Sequence, residues 1–522
     1  MSEKTLDIQF QKQLPKNLLS NLAYLTINLV IGLALVPFFL ETLGESAYGL
    51  IPLATSFTSF ITLFIDVVNE AISRYLTIDL QRGDRKKAVI TFNTSLIGTL
   101  VILLIVTPIG LIFALLSPTI FNIGDTVATD VIWLFALVII SVLIRAWSSN
   151  FSVILFAYNR IDLKNHVNNT NLIAQIISVV LLFTLLEPTL PFVGLSYLIA
   201  ACMALFLSIV FSRKICPFLN ISITAFSLFH LKEILSTAFW LAILRMGVVL
   251  RNQAALIITN IVLGSIVATE FSLVLTWNTL IVGLLGLITT CFSPMIFSYR
   301  AKDNKESMVT FTAFSVKIVT LLTALLVGLV CVFSSQLMTI WVGQNYADLS
   351  LLVWITVIAS IFMVQFSCCG SITAAYIRVR TPGLIYLVAG GFNVILALTL
   401  SLVFNMGIYG IALATTITTL ITDGLFGPIY AAHILKAPLI TFVKPAFPGY
   451  VALLILLVLG FLFMQVVSIS GIVPTFLAGG SIATVYCVIL WCAVLNKGER
   501  KNILRIFPPS LDRKLLWNNK RE

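Results

Sequence analysis

Charge is scarce in this chain. Of its 522 residues 10% are charged and 59% hydrophobic, and the mean hydropathy is +1.06. A soluble globular domain carries about 25% charged residues, so most of this sequence must be buried in an apolar medium other than its own core. Histidine is scarcer still. His166, His230 and His433 are the three, all near expected span edges, which argues against a zinc site or a buried histidine relay. The eight cysteines (Cys202, Cys216, Cys291, Cys331, Cys368, Cys369, Cys487, Cys492) fall mostly inside apolar runs without metal-ligand spacing. They read as small core residues. There is no Walker-type glycine loop, so the chain does not itself hydrolyse ATP. No large connection presents clustered acids, and no nucleophile–base set stands out. The sequence therefore argues for no enzyme, no catalytic residue and no metal.

What it has in quantity is apolar runs. A hydrocarbon layer of roughly 30 Å needs about 20 apolar residues per helix, and such runs recur from Leu18 to Leu495. A transmembrane barrel would show short alternating segments instead. The expected fold is all-α and polytopic, with about fourteen spans. These lie at roughly 18–40, 48–78, 88–116, 129–158, 167–186, 193–212, 233–262, 266–297, 308–333, 350–376, 384–404, 408–434, 449–468 and 474–495. The first run lacks a small-residue cleavage pattern and is expected to be a retained span.

Lysine and arginine test that count. The odd-numbered connections hold Glu41, Glu45, Asp125, Glu187 and Asp348 but no Lys or Arg, whereas the even-numbered ones hold basic residues from Arg82 to Lys444. Lys4, Lys12 and Lys16 precede the first span, and more basic residues follow Asn496. Basic loops mark the cytoplasmic side. Both termini are expected in the cytoplasm and the protein in the inner (cell) membrane. The net charge of +11 then reflects topology and anionic lipid, with no place for nucleic acid. Segments 218–229 and 503–517 mix apolar and basic residues and are expected to lie at the membrane interface.

Leu43-Gly44-Glu45-Ser46-Ala47-Tyr48 and Leu263-Gly264-Ser265-Ile266-Val267-Ala268 are similar short links. Lys87-Ala88-Val89-Ile90-Thr91-Phe92 is similarly matched by Glu306-Ser307-Met308-Val309-Thr310-Phe311, at the same offset of about 220 residues. Such an offset suggests an internal repeat, with chance likeness among apolar sequences as the competing explanation. The expected division is a six-helix lobe at 1–215, a second at 216–434, two further helices at 435–496 and a basic tail at 497–522.

An ionisable side chain near the bilayer centre costs roughly 2.5–3.5 kcal/mol on insertion scales and so faces a cavity or a partner. Arg145, Arg245, Arg251 and Lys317 lie deepest, each at least about ten residues from an expected span end. They outnumber the deep acids and form a candidate cationic cavity for a polyanion, because arginine grips phosphate oxygens in a bidentate fork. Asp66, Glu70, Arg74 and Asp423 are candidates for ion coupling or ion pairing. Asp66 and Glu70, four apart, share a helix face and suit H+ or Na+ binding or pairing with Arg74. Asp66 with Arg145, or Asp423 with Lys317, is the helix-joining alternative. Pro37, Pro52, Pro108, Pro294 and Pro428 are expected to free backbone carbonyls and permit bending, with structural kinks as the equal alternative.

Leu43-Gly44-Glu45-Ser46-Ala47-Tyr48-Gly49, Asp66, Ala71-Ile72-Ser73-Arg74-Tyr75-Leu76 and Arg82-Gly83-Asp84 resemble the opening of polysaccharide (oligosaccharide) flippases. These are the lipid-linked O-antigen-type flippases of the multidrug/oligosaccharidyl-lipid/polysaccharide exporter superfamily. Trp341-Val342-Gly343-Gln344-Asn345-Tyr346-Ala347 is similar to that family's loop before the tenth span. Val67 and Val68 stand where the family commonly has a glycine. The resemblance implies transport of an isoprenoid-pyrophosphate-linked oligosaccharide to the outer leaflet for cell-surface polysaccharide synthesis. It implies two six-helix lobes working by alternating access, plus two peripheral helices. The implied partners are the lipid-linked oligosaccharide, membrane lipids and other membrane proteins of polysaccharide assembly, with H+ or Na+ as coupling ion and no other cofactor. Only Asp66 and Arg74 carry over from the motif itself; the remaining candidates rest on charge and depth. The rivals are a multidrug and toxin extrusion antiporter, which would favour an anionic cavity, and a membrane-embedded glycan polymerase or glycosyltransferase, which would need a large outer loop with catalytic acids. A non-transporting scaffold would leave the deep arginines unexplained.

Overall fold

The computed structural model describes residues 3–81, 83–290, 292–376, 378, 380–467, 469, 471–496 and 498–500. The side chains of Asp66, Glu70 and Arg74, among others, lie outside the described ones. The structure is 89% helical, with no strand among the described residues. Fourteen helices among those residues are long and apolar enough to cross a membrane, and the protein is an all-α multi-pass membrane protein.

In chain order the helices are α1 (Glu3–Leu43), α2 (Leu50–Gln81), α3 (Arg85–Ile120), α4 (Ala128–Ala157), α5 (Ile161–Leu185), α6 (Leu190–Ile215) and α7 (Leu228–Leu263). They continue as α8 (Ser265–Thr290), α9 (Lys305–Val332), α10 (Ser350–Ala375), α11 (Arg380–Leu398), α12 (Gly407–Thr419), α13 (Phe447–Val466) and α14 (Ile472–Ile489). Each begins or ends within a few residues of its apolar run, with two instructive exceptions. The α1 helix runs back to Glu3, well before its apolar stretch begins. The eighth span, expected to continue to 297, stops at Thr290, and Pro294 opens the separate short helix Ser293–Ala301. Proline has no N–H to give an interior turn but fits a first one. Pro428 falls in the first turn of Gly427–Leu435, which, after the π-helical turn Leu420–Phe426, continues α12 as one span from Gly407 to Leu435.

The chain forms two compact units, Met1–Gly283 with Arg378–Thr422 and Leu284–Ile377 with Asp423–Glu522. In the first, α7 packs on α11 and α2. Gly247 lies so close to the Tyr386 backbone that a Cβ there would collide with it, and a Cβ on Gly390 would meet Gly247 O at 2.8 Å and Leu250 Cβ at 3.2 Å. Both partners advance together along the chain, so α7 and α11 run parallel. The α2 and α8 ends meet where Ser46 Oγ lies 3.0 Å from Ser265 Oγ and Thr269 Oγ1 donates to Glu45 O at 2.6 Å. Beside them Asn260 Oδ1 accepts from Asn122 N (2.9 Å) and Asn260 Nδ2 donates to Asn122 O (3.0 Å).

In the second unit, α9 packs on α10 and α13. Gly449 faces Thr320, Gly328 faces Leu456 and Gly460 faces Val332, again a parallel register. Tyr486 Oη, on α14, donates to Leu321 O on α9 at 2.8 Å.

Two turns recur at the offset of about 220 residues. Gly44 (φ 82°, ψ 168°) and Gly264 (φ 99°, ψ 175°) take the same left-handed shape, which a side chain would strain. Asp84 caps α3 by accepting from Lys87 N, and Asn304 caps α9 by accepting from Ser307 N, each at 3.0 Å.

Candidate functional site

Inside the first unit, α2, α4, α5 and α6 enclose a cavity of about 820 Å³. The local sequence explains it. Thr62, Ile65, Asn69, Ser73 and Thr77 follow one another every three or four residues and line one face of α2. Arg145, Ser148, Ser149 and Ser152 do the same on α4, and the small serines leave room that leucines would fill. Lys164 and Asn168 close the wall from α5.

Other contacts hold these helices in register. On another face of α4, Asn150 accepts from Ser95 Oγ (3.1 Å) and donates to Thr99 Oγ1 (2.8 Å), tying it to α3. At the start of α5, Arg160 grips Asp162 with two hydrogen bonds of 2.9 Å, and that carboxylate holds the guanidinium pKa above its ordinary value. Gln13 on α1 donates to the same carboxylate at 2.7 Å.

The lining mixes apolar side chains such as Ile65, Val142 and Phe156 with hydroxyls, amides and two cations, Arg145 and Lys164. Asn69 Nδ2 donates to Ser149 Oγ, while Asn69 Oδ1 and Thr77 Oγ1 are buried without a hydrogen-bond partner. Arg145 is exposed to the cavity and makes no hydrogen bond or ion pair among the described residues. It sits twelve residues from the end of α4 at Ala157, about 18 Å along a helix. No acidic side chain lines the cavity among the described residues.

The other sequence candidates fall elsewhere. Arg251 is 2% exposed on α7; its Nη1 donates to Thr422 Oγ1 at 2.7 Å, and its guanidinium lies 5.8 Å from the Tyr386 ring centre. Arg245 is exposed on α7 and is also engaged by neighbours. Neither lines the Arg145 cavity. In the second unit, Lys317 donates to both carboxylate oxygens of Glu499, at 2.9 and 2.8 Å, and to Val494 O at 3.2 Å. The partner is thus Glu499 and not Asp423, and Lys317 contributes no surplus charge. Asp423, 2% exposed, lies in the π-helical turn. Asp66, Glu70 and Arg74 belong to α2, with side chains outside the described ones. Lys164, Asn69 and the α4 serines were not singled out from sequence; the polar stripe at three- and four-residue spacing was the available signal.

No family model matches the chain. The uncharacterized membrane protein EpsK of Bacillus subtilis (strain 168) is 24% identical over 496 residues, spanning 94% of this chain and 97% of that protein. Among solved structures, the lipid II flippase MurJ in an inward closed conformation superposes with a TM-score of 0.67 at 15% identity, covering 94% of this chain and 100% of that one. An inward-facing multidrug resistance MATE family transporter of the MOP superfamily gives 0.66 at 14% identity, covering 80% and 98%. This protein therefore has the fold that MurJ and the MATE transporters share. EpsK is a distant relative along nearly the whole length.

Proposed function

We propose that this protein is a flippase that moves an isoprenoid-pyrophosphate-linked oligosaccharide from the cytoplasmic to the outer leaflet of the cell membrane by alternating access. The observation that carries the reading is Arg145, a deep cation with no hydrogen bond or ion pair among the described residues, in a cavity whose lining includes hydroxyls and amides. Its guanidinium matches phosphate oxygens or another anionic group, and the Ser, Thr and Asn lining matches sugar hydroxyls. Arg245 and Arg251 are further cations proposed to act on the substrate. Asp66 and Glu70 are proposed to bind the coupling ion, H+ or Na+, with Arg74 and Asp423 as ion-pairing groups. Lys317 is withdrawn from the substrate-binding set by its pairing with Glu499.

The fold shared with the lipid II flippase MurJ supports a flippase, and the cationic lining disfavours the extrusion of organic cations. An even number of spans sets both termini on one side, and the basic loops argue that this side is the cytoplasm. The recurring Gly44/Gly264 and Asp84/Asn304 turns support lobes at 1–215 and 216–434, followed by helices in 435–496 and the tail at 497–522. Membrane lipids and proteins of polysaccharide assembly are the proposed partners.

The test is translocation of a lipid-linked oligosaccharide in proteoliposomes. Arg145→Ala is expected to slow it about tenfold or more, as loss of a charge-assisted hydrogen bond implies, with Arg145→Lys in between. Equal rates for wild type and Arg145→Ala reject the reading, and efflux of organic cations without glycan movement would favour the extrusion antiporter.

A further inference from the structure

The linker between α6 and α7 is built as a rigid ledge. Cys216 and Leu219 root it in an apolar cluster with Phe92, Phe151 and Ile154. Asn93 on α3, fully buried, clamps its backbone from both sides, donating to Asn220 O at 3.0 Å and accepting from Ser222 N at 2.7 Å. The next residue, Thr94, accepts from Ser227 N at 3.0 Å, and Ser227 in turn caps α7 by accepting from His230 N.

With its backbone held, the ledge turns large apolar side chains outward. Ile223 is 82% exposed, and Ile221 is 51% exposed. Phe229, in the first turn of α7, is 81% exposed. Arg85, Lys86, Lys87, Arg213, Lys214 and Lys232, all exposed, belong to the segments that meet here. Arg85 lies 5.2 Å from the Phe218 ring centre, and Asp84, the neighbouring acid, is engaged in capping α3.

We propose that this ledge is a binding surface for anionic phospholipid in the leaflet at the basic ends of the helices. Ile221, Ile223 and Phe229 enter the acyl boundary, and the surrounding cations take headgroup phosphates. The lipid is the occupant because the surface joins two membrane spans and combines apolar side chains with a surplus of cations, of which Lys87 is paired with Asp79 at 4.0 Å. The bound leaflet then fixes the depth of the ends of α6 and α7. This holds whether or not the protein flips a glycan.

The test uses full-length protein in nanodiscs, with Cys202, Cys487 and Cys492 changed to serine and a nitroxide placed by Ile223→Cys or Phe229→Cys. The expected result is greater accessibility to oxygen than to a water-soluble nickel chelate, the preference rising when phosphatidylglycerol is added to phosphatidylcholine. A label at Lys86→Cys serves as the aqueous reference. Labels at 223 and 229 that behave like that reference in both lipids overturn the proposal. Labels shielded in native membranes but aqueous in nanodiscs overturn it in favour of a protein partner. Independently of those labels, Lys86→Gln/Lys214→Gln/Lys232→Gln is expected to lose at least half of the rise in Tm that phosphatidylglycerol gives the wild type. An undiminished rise refutes the headgroup contact.

Discussion

A lysine inside a membrane helix must find water or a carboxylate, and Lys317 has found Glu499. The two side chains are 13% and 20% exposed, dry enough for the pair to matter. Lys317→Ala strands the Glu499 carboxylate and is expected to lower stability by about 1–3 kcal/mol, the usual cost of leaving a buried partner unmet. Lys317→Glu combined with Glu499→Lys should recover most of that loss in a thermal-shift assay. No recovery would mean that the lysine serves something other than this pair. The depth of Lys317 was readable from the sequence. Its partner was not, because Glu499 follows 182 residues later, beyond the last span, and only tertiary packing joins them. Arg145 shows the complement: its position in the chain gave its depth, while the serines that make its cavity were indistinguishable from helix-joining hydroxyls.

At the scale of helices, glycine sets how closely neighbours approach. Gly247→Ala should force α7 and α11 apart and cost about 1–3 kcal/mol, the usual range for overpacking. Gly283→Ala, where a Cβ would meet nothing within 4 Å, should be neutral. Chemical unfolding of the two variants checks the contrast, and similar stabilities would remove the tight crossing. Span existence was legible because a run of about 20 apolar residues has few other uses. The π-helical turns at Thr399–Val403, Leu420–Phe426 and Leu490–Val494 left no comparable mark, since an extra residue in a turn changes hydrogen bonding without changing hydropathy.

At the scale of the whole molecule, helix pairing gives an independent view of the alternation read from lysine and arginine. α7 runs parallel to α11, and α9 to α13. Each pair joins spans of the same parity, as a chain crossing back and forth at every helix requires. The expected orientation is testable with alkaline phosphatase fused at position 345, where the enzyme should be active, and at position 303, where it should be silent. The opposite pattern would invert the topology and remove the cytoplasmic assignment of the termini.

The lacing of Ser46 to Ser265, Thr269 to Glu45, and Asn260 to Asn122 ties together the end of the first unit away from the basic loops. At about 1 kcal/mol net for each hydrogen bond, parting the four together raises an activation barrier by about 4 kcal/mol, close to a thousandfold in rate. In the proposed alternating-access cycle, opening that end must part these links, a cost that a tighter grip in the cavity would not offset.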